Sequence, residues 1–517
     1  MVTDDENTYD LFIIGGGVNG CGLARDAAGR GFRVGLAEMN DLAAGTSSAS
    51  TKLIHGGLRY LEQHAFHLVR ESLKEREVLW RIAPHIIRPL RFILPYHKGL
   101  RPAWMLRIGL FLYDHLGGRR ELAPATTVHF NNAYGAPLKK AFRKGFEYSD
   151  ARVDDSRLVV LNARHAAQLG ADIMVGTEVV ALRAKGKWWR IRLRDHRQGK
   201  DREVRAAFVA NMAGPWINKV MHDALRSQAH PPVRLVQGSH IVVPALYEHD
   251  RAYIFQNPDG RIIFAIPYQG DYTLIGTTDR DYQGDPAKVR ITGEEIRYLC
   301  AAASEYFCQP VTQDMIIWSY AGIRPLYDDG SARAQEATRG YVLKMTGNNT
   351  TPPLLNTYGG KITTYRKLAE DAMKCVEQRL GRRQGPWTAD IPLPGGGFPH
   401  TGIGSVEAAI ARAMPALDAR TVARLAGSYG TEALLMFDHG QKPLGRHFGH
   451  GLYEPEVRWL VNKEWAATAD DILWRRTKLG LRFSKKQRAQ LASWLHTGTP
   501  HQTAKVCARA KTTILPS

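Results

Sequence analysis

Four groups of residues in this sequence are placed to do chemistry. The first is a glycine triplet, Gly15-x-Gly17-x-x-Gly20, with an acid, Glu38, eighteen residues beyond it. Gly15 permits a tight turn, Gly17 lets the backbone approach a pyrophosphate, and Gly20 lets a helix pack closely on a strand. A carboxylate at 38 accepts hydrogen bonds from a ribose diol and repels a 2′-phosphate, which disfavours an NADP-type ligand. This set reads as a dinucleotide site but does not choose FAD over NAD. The second group is Gly359-Gly360-Lys361 at the start of a helix. A helix N-terminus and a lysine stabilise negative charge, such as a reduced flavin carries near its N1–C2=O edge; the plainer reading is a strand–helix turn with a solvent lysine. The third is His240, in QGSHIVVP. An imidazole is a base near neutral pH, although a histidine in an apolar strand is more often a core or edge residue. The fourth is a set of arginines near glycines, Arg59, Arg324 and Arg339. Their forked guanidinium suits phosphate or carboxylate, and each alone reads equally as a surface arginine.

The elements that position these residues follow from periodicity. Residues 9–14 are an apolar run that predicts a buried strand, 18–29 an Ala-rich helix, and 32–37 a second strand ending on Glu38. That is a βαβ unit with its fingerprint in the right place. The small, hydroxylic stretch 43–50 suits a loop against a cofactor. Helices are predicted over 66–83, 158–170 and 294–307, with a strand and turn over 172–180 and a hairpin from 187–193 and 203–210. Residues 233–280 alternate and are β-rich, which predicts a mixed or antiparallel sheet in a second domain. Residues 381–400 are rich in Pro and Gly and read as a linker. Beyond them helices are predicted over 405–414, 418–427, 430–437, 454–479 and 484–496. There is no internal repeat and no metal-ligand spacing.

A chain of 517 residues is long enough for two or three domains. No apolar run is long enough to span a bilayer. The acidic, polar N-terminus is neither a secretory signal nor an Arg-rich transit peptide. Five scattered cysteines without a CxxC pair read as reduced thiols of a cytosolic protein. The formal net charge of +20 points to phosphate-bearing substrates, nucleic acid or an anionic membrane, or else to a solvated basic surface. Between Arg81 and Arg120 there are eight Lys/Arg and one acid, interleaved with bulky apolar residues. This is the composition of a segment lying in a membrane interface, or equally of core apolar residues with surface basics. From Ile472 onward there are ten Lys/Arg and no acid, which makes a basic, all-helical C-terminal domain.

The fingerprint, TSSASTKLIHGGLRYLE, GSHIVVP, IGTTD, AGIRPL, YGGKITTYRKLAE and EWAATADDILWRRTKLGL occur here in one order. Taken together they resemble the FAD-dependent, quinone-reducing glycerol-3-phosphate dehydrogenases of bacteria, over nearly the whole length. The resemblance implies an α/β FAD-binding domain of the glutathione-reductase type, a β-rich substrate domain like that of D-amino-acid oxidase, and a helical C-terminal domain. It places the FAD-binding domain at 1–85, 150–225 and 322–383, the substrate domain at 86–149 and 226–321, the linker at 384–400 and the helical domain at 401–517. It implies oxidation of sn-glycerol 3-phosphate to dihydroxyacetone phosphate, with electrons passed to ubiquinone. The implied setting is a homodimer peripheral to the cytoplasmic face of the inner membrane, on an anionic lipid surface.

Carried over by motif, Gly15, Gly17, Asn19 and Gly20 hold the pyrophosphate and Glu38 the adenosine ribose. Thr46, Ser47, Ser50, Lys52 and Leu53 line the flavin, and Val179 touches the adenine side through its backbone. Gly359, Lys361 and Ile362 close over the isoalloxazine. Arg59, Tyr60 and Arg324 grip the substrate, with added charge from Arg339 and Lys361, and His240 is the base, helped by Arg324 and Lys361. The family's NATGPW motif reads Asn211-Met212-Ala213-Gly214-Pro215-Trp216 here. Its Thr hydroxyl is lost, and only the backbone turn at Gly214 remains to serve. No metal is implied.

The nearest alternative is a glycerol-3-phosphate oxidase that gives peroxide. A nucleic-acid-binding flavoprotein is suggested only by the charge, without a recognition motif, so no nucleic-acid partner is expected. A non-catalytic dinucleotide sensor would bind FAD without being reduced by substrate.

Overall fold

The computed structural model describes residues 7–61, 64–97, 99–118, 121–227, 233–328, 340–348 and 350–497. The strand Thr8–Ile14 turns at its glycines into the helix Val18–Gly29 and returns on Val34–Glu38, parallel to the first. Both strands are almost wholly buried, as central parallel strands covered on two faces must be. The sheet runs Tyr341–Thr346, Leu354–Gly359, Lys200–Asn211, Thr8–Ile14, Val34–Glu38, Asp172–Val175. Its inner pairs are parallel and the Tyr341–Thr346 edge is antiparallel. The helix Asp155–Gln168 covers one face, capped by the Asp154 carboxylate on the Arg157 N–H. The hairpin expected near 190–210 is a three-stranded meander, because Thr177–Lys185 pairs on the outer side of Trp188–Asp195.

The second sheet is mixed, one of the two forms that the alternating pattern leaves open. Val233–Pro244 is its hub, paired antiparallel to Tyr272–Gly276 and to Trp318–Tyr327. The order continues through Ile262–Tyr268 and Ala252–Gln256, which pairs parallel to Ile87–Pro95, and then to Lys144–Val153 and Leu53–Ile54.

The basic, apolar stretch 81–120 divides in two. Ile87, Leu90, Phe92, Ile93 and Leu94 are buried on the strand Ile87–Pro95. The helix Ala103–Leu116 instead buries only Leu110 and Tyr113, and leaves Trp104 62 %, Ile108 53 % and Phe111 60 % exposed. The core reading of the composition therefore holds for the strand, and the helix keeps an exposed apolar face.

The C-terminal helices Ile403–Ala413, Ala419–Tyr429, Glu432–Met436, Glu454–Glu464 and Lys485–Thr497 close around their own core, which includes Ile410, Leu425, Tyr429, Leu460 and Leu473. The single helix expected over 454–479 is broken. Trp465 takes the left-handed conformation that ends the first part. The Asp471 carboxylate then accepts the N–H groups of Ala467 and Thr468, and a π-helical turn Asp471–Arg476 follows. A short hairpin, His447–Gly449 with Leu452–Tyr453, lies between the helices. Among the described residues no helix is long and apolar enough to cross a membrane, and no side-chain group is arranged to hold a metal ion.

Candidate active site

Between the two sheets lies a cavity of about 1240 Å³, partly closed by residues 467–478 of the C-terminal unit. The glycine fingerprint forms one end. Gly15 has φ +109°, and a side chain there would come within 2.8 Å of the Met212 carbonyl. Gly20 does not line the cavity; a Cβ there would come 2.0 Å from the Gly15 carbonyl, so Gly20 serves the strand–helix contact. Glu38 reaches back, its two carboxylate oxygens accepting the N–H groups of Gly16 (2.7 Å) and Asn40 (2.8 Å). Burial pushes its carboxyl up, against the pull of those two donors.

The hydroxylic loop forms the adjoining wall. Ser47 Oγ accepts the Val18 N–H at 3.0 Å and so caps the fingerprint helix. Thr46 donates to the Ile323 carbonyl (2.6 Å) and Ser50 to Asp155 (2.8 Å). Leu53, Val179, Gly214 and Ile362 also line the cavity. Lys52 does not: its Nζ donates to Asp155 (2.8 Å) and to the Ser48 carbonyl (3.0 Å), behind the loop. The Lys52 side chain thus supports from behind the loop that lines the cavity.

The two glycine turns meet at Asn19. Its Nδ2 donates to the Gly359 carbonyl at 3.4 Å, while its Oδ1 is buried without a partner. Gly359 and Gly360 both have positive φ, and a Cβ at 360 would stand 3.1 Å from Asn19. An orphaned buried acceptor fits a ligand edge that donates an N–H or O–H, and the side-chain-free turn at a helix N-terminus fits a pyrophosphate. These residues fit FAD.

The chemical groups converge on the opposite wall. His240 is buried, stacked on Tyr320 (4.7 Å between ring centres), with Nε2 3.0 Å from Thr51 Oγ1 and Nδ1 without a partner. Burial, then the charges of Arg324 and Lys52, hold its pKa well below the usual imidazole value, so the ring is neutral at pH 7. Gly276, its neighbour across the strands, has no side chain to displace the ring. Arg324 is ion-paired with Asp279 and donates to Thr277 Oγ1 at 3.2 Å. Gly238 leaves room for it; a Cβ there would come 2.5 Å from Nη2. Lys361 Nζ lies 4.0 Å over the Tyr60 ring. Arg59 stands in the turn Leu58–Leu61 beside Tyr60, but its side chain lies outside the described residues, as does the whole of Arg339.

Sequence reasoning missed Thr51, Thr277, Asp279, Trp318, Tyr320 and Trp474, all of which line this cavity. Most lie inside stretches already singled out. Their facing was hidden because strand pairing sets it: His240 is in register with Tyr320 and Gly276.

A family model described as FAD dependent oxidoreductase matches residues 10–366, and one described as the C-terminal domain of alpha-glycerophosphate oxidase matches 386–494. A glycerol-3-phosphate dehydrogenase of Pseudomonas aeruginosa is 49 % identical, over 96 % of each chain. A D-erythritol 1-phosphate dehydrogenase of Brucella abortus is 46 % identical, over 95 % of this chain and 98 % of that one. The crystal structure of glycerol-3-phosphate dehydrogenase from Bacillus halodurans, complexed with FAD, superposes with a TM-score of 0.73 at 28 % identity, covering 95 % and 94 %. The chain belongs to the FAD-dependent oxidoreductases, in the group of the glycerol-3-phosphate dehydrogenases.

Proposed function

We propose that the protein oxidises the C2 hydroxyl of sn-glycerol 3-phosphate to give dihydroxyacetone phosphate, with ubiquinone as the final acceptor, at the cytoplasmic face of the inner membrane. The observation that carries this reading is the convergence of His240, Arg324 and Lys361 on the cavity that the dinucleotide fingerprint opens. Bound FAD supplies the hydride acceptor. Arg59, Tyr60, Arg324 and Arg339 hold the phosphate and hydroxyls, and that remote grip orients C2. His240 takes the hydroxyl proton at Nε2, the nitrogen that meets the Thr51 hydroxyl. The neutral ring is the form that can accept it. Burial and then Arg324 lower the basicity of that ring, so a phosphate dianion paired with Arg324 offsets the second of these. Lys361 and Arg324 stabilise the developing alkoxide.

The test is an anaerobic spectrum. Flavin bands that bleach on glycerol 3-phosphate and return with a ubiquinone analogue support the reading; a yellow protein that stays yellow sinks the substrate. D-erythritol 1-phosphate belongs in the same titration, because a 46 % identical relative is named for it. Peroxide formed in air at the rate of turnover would favour the oxidase. Replacement of His240 by Ala should slow flavin reduction far more than it weakens substrate binding.

The helix Ala103–Leu116 supports the membrane part of the proposal. Trp104, Ile108 and Phe111 face outward with Arg101 and Arg107 beside them, the pattern of an interfacial helix. Lys and Arg near anionic lipid contribute about 1 kcal/mol each. Phe111→Ser should therefore weaken sedimentation with anionic vesicles, and added salt should do the same. Equal binding to neutral vesicles would count against it. A homodimer is part of the same reading, to be checked by sedimentation equilibrium in detergent.

A further inference from the structure

The C-terminal helical unit reaches into the active site. Residues 467–478 bring Trp474 and Lys478 to the cavity wall. Trp474 stacks on Trp318 (4.6 Å), Trp318 leans on Tyr320 (4.9 Å), and Tyr320 stacks on His240 (4.7 Å). A polar chain runs behind these rings. Lys478 Nζ donates to the Trp474 carbonyl (2.9 Å) and to Ser156 Oγ, and lies 3.6 Å from Asp155 Oδ1. The other Asp155 oxygen accepts Lys52 Nζ and Ser50 Oγ, each at 2.8 Å. Thr51, between those two residues, meets His240 Nε2 at 3.0 Å. Tyr320 Oη donates to the Ser50 carbonyl at 2.8 Å. Both supports of the imidazole, Thr51 beside it and Tyr320 against its face, are thus tied to one short loop.

That loop hangs on a buried carboxylate. Asp155, Lys52 and Lys478 are all buried. Burial by itself pushes the Asp155 carboxyl up; the ammonium ions of Lys52 and Lys478 outweigh it and hold the carboxyl below its usual range. An ionised carboxylate accepts strong hydrogen bonds from both Lys52 and Ser50. Removing Lys478 takes away one of the two charges that balance this buried carboxylate.

We propose that Lys478 is a positioning residue for the oxidation: through Asp155 it fixes the 50–52 loop and with it the Thr51–His240 pair. The C-terminal unit is then a working part of the active site. This rests on the role of His240 as base proposed above.

The experiment compares holoenzyme carrying Lys478→Met, Lys478→Arg or Asp155→Asn with wild type and His240→Ala. A catalytic group displaced by about 1 Å costs on the order of 100-fold in rate. Lys478→Met should keep its FAD, its near-ultraviolet circular dichroism and its KM, and lose about 10- to 100-fold in anaerobic flavin reduction. Asp155→Asn should show the same split, and Lys478→Arg should recover most of the rate. A wild-type rate in Lys478→Met or Asp155→Asn overturns the proposal. So does a loss accompanied by release of FAD, or one that Lys478→Arg shares in full, since those mark a merely structural residue. The His240 ring ¹⁵N resonances give a readout without substrate: they should shift in Lys478→Met and not in Lys478→Arg, and unmoved resonances refute the coupling. Failure of the base reading shows separately, as unimpaired reduction in His240→Ala.

Discussion

Removing a single hydroxyl, in Tyr113→Phe, tests how the turn proposed to grip the substrate is held. Tyr113 faces inward from the helix whose outer face is apolar and exposed. Its Oη lies 2.8 and 2.9 Å from the two Asp150 oxygens and accepts the Gly56 N–H at 2.8 Å. Asp150 is also bound by Arg76 at 2.8 Å. Gly56 opens the turn into Leu58–Leu61, which carries Arg59 and Tyr60. A side chain at 56 is excluded, because its Cβ would come 2.5 Å from Leu73 and 2.7 Å from the Tyr113 hydroxyl. Phenylalanine keeps the ring and the packing, so the loss is the hydroxyl alone. A hydrogen bond to a charged group is worth about 1.5–3 kcal/mol. The Gly56 N–H keeps Asp150 Oδ1 at 3.3 Å and is not orphaned, which places the cost near 2 kcal/mol. At 1.4 kcal/mol per factor of ten, loosening the turn by that much raises KM by up to about 30-fold. The chemical step should suffer less, since His240 lies on a different strand. Steady-state kinetics with a quinone analogue, and a urea titration of the same protein, read both quantities. A fall in kcat at constant KM, or a stability unchanged within about 0.5 kcal/mol, would refute the reasoning.

Three further expectations follow from distances at the site. Gly20→Ala sets a Cβ 2.0 Å from a backbone carbonyl that cannot move without opening the fingerprint, so the protein should purify without FAD; a yellow variant would contradict this. Gly238→Ala pushes on Arg324 at 2.5 Å, and should raise KM for the phosphate substrate while the flavin spectrum stays unchanged; an unaltered KM would show that the guanidinium is not held where it matters. At the joint of the C-terminal unit, burial pushes Asp41, Asp155 and Glu464 up, but Arg476, Lys52 and Arg157 outweigh it and hold all three carboxyls below their usual range. Groups depressed in this way lend stability above their unfolded pKa of about 4 and lose it as the pH falls through the folded value. Proteolytic release of the C-terminal unit should therefore be flat from neutral pH to about 5 and rise below about 4; release that does not change down to pH 3 would contradict it.

What was legible in the sequence was what local spacing controls. The fingerprint, its helix and Glu38 stand where the glycines put them, since each glycine answers to a neighbour a few residues away. The second sheet was visible as mixed or antiparallel because alternation survives wherever one face is buried. What stayed hidden depends on partners far along the chain. Lys52 reads as a flavin contact by motif, yet Asp155, about a hundred residues on, turns it behind the loop. Thr51 is ordinary in a hydroxylic run until Val233–Pro244 brings His240 to it. The break at Trp465 was hidden for another reason: helical periodicity continues through it, and the carboxylate of Asp471 captures two backbone N–H groups that periodicity does not register.

The joint between the FAD sheet and the helical unit is built of charge, and that choice has a physical reason. Arg157 pairs with Glu464, Arg164 with Glu432, and Arg476 binds both oxygens of Asp41 at 2.8 and 2.9 Å. Such pairs add little net stability, because desolvating each ion costs several kcal/mol. Each unit also has an apolar core of its own, and Leu481 and Trp474 of the helical unit pack into the cluster under the second sheet. What the charges add is discrimination. An apolar contact that slides by an ångström loses little, whereas a buried ion that loses its partner costs about 3–5 kcal/mol. The helical unit is therefore held in one pose. The pose matters here because the segment after Glu464 lines the cavity and carries Trp474 against Trp318. A loosely docked unit would leave the fingerprint in place, open the wall beside it and draw Lys478 away from Asp155.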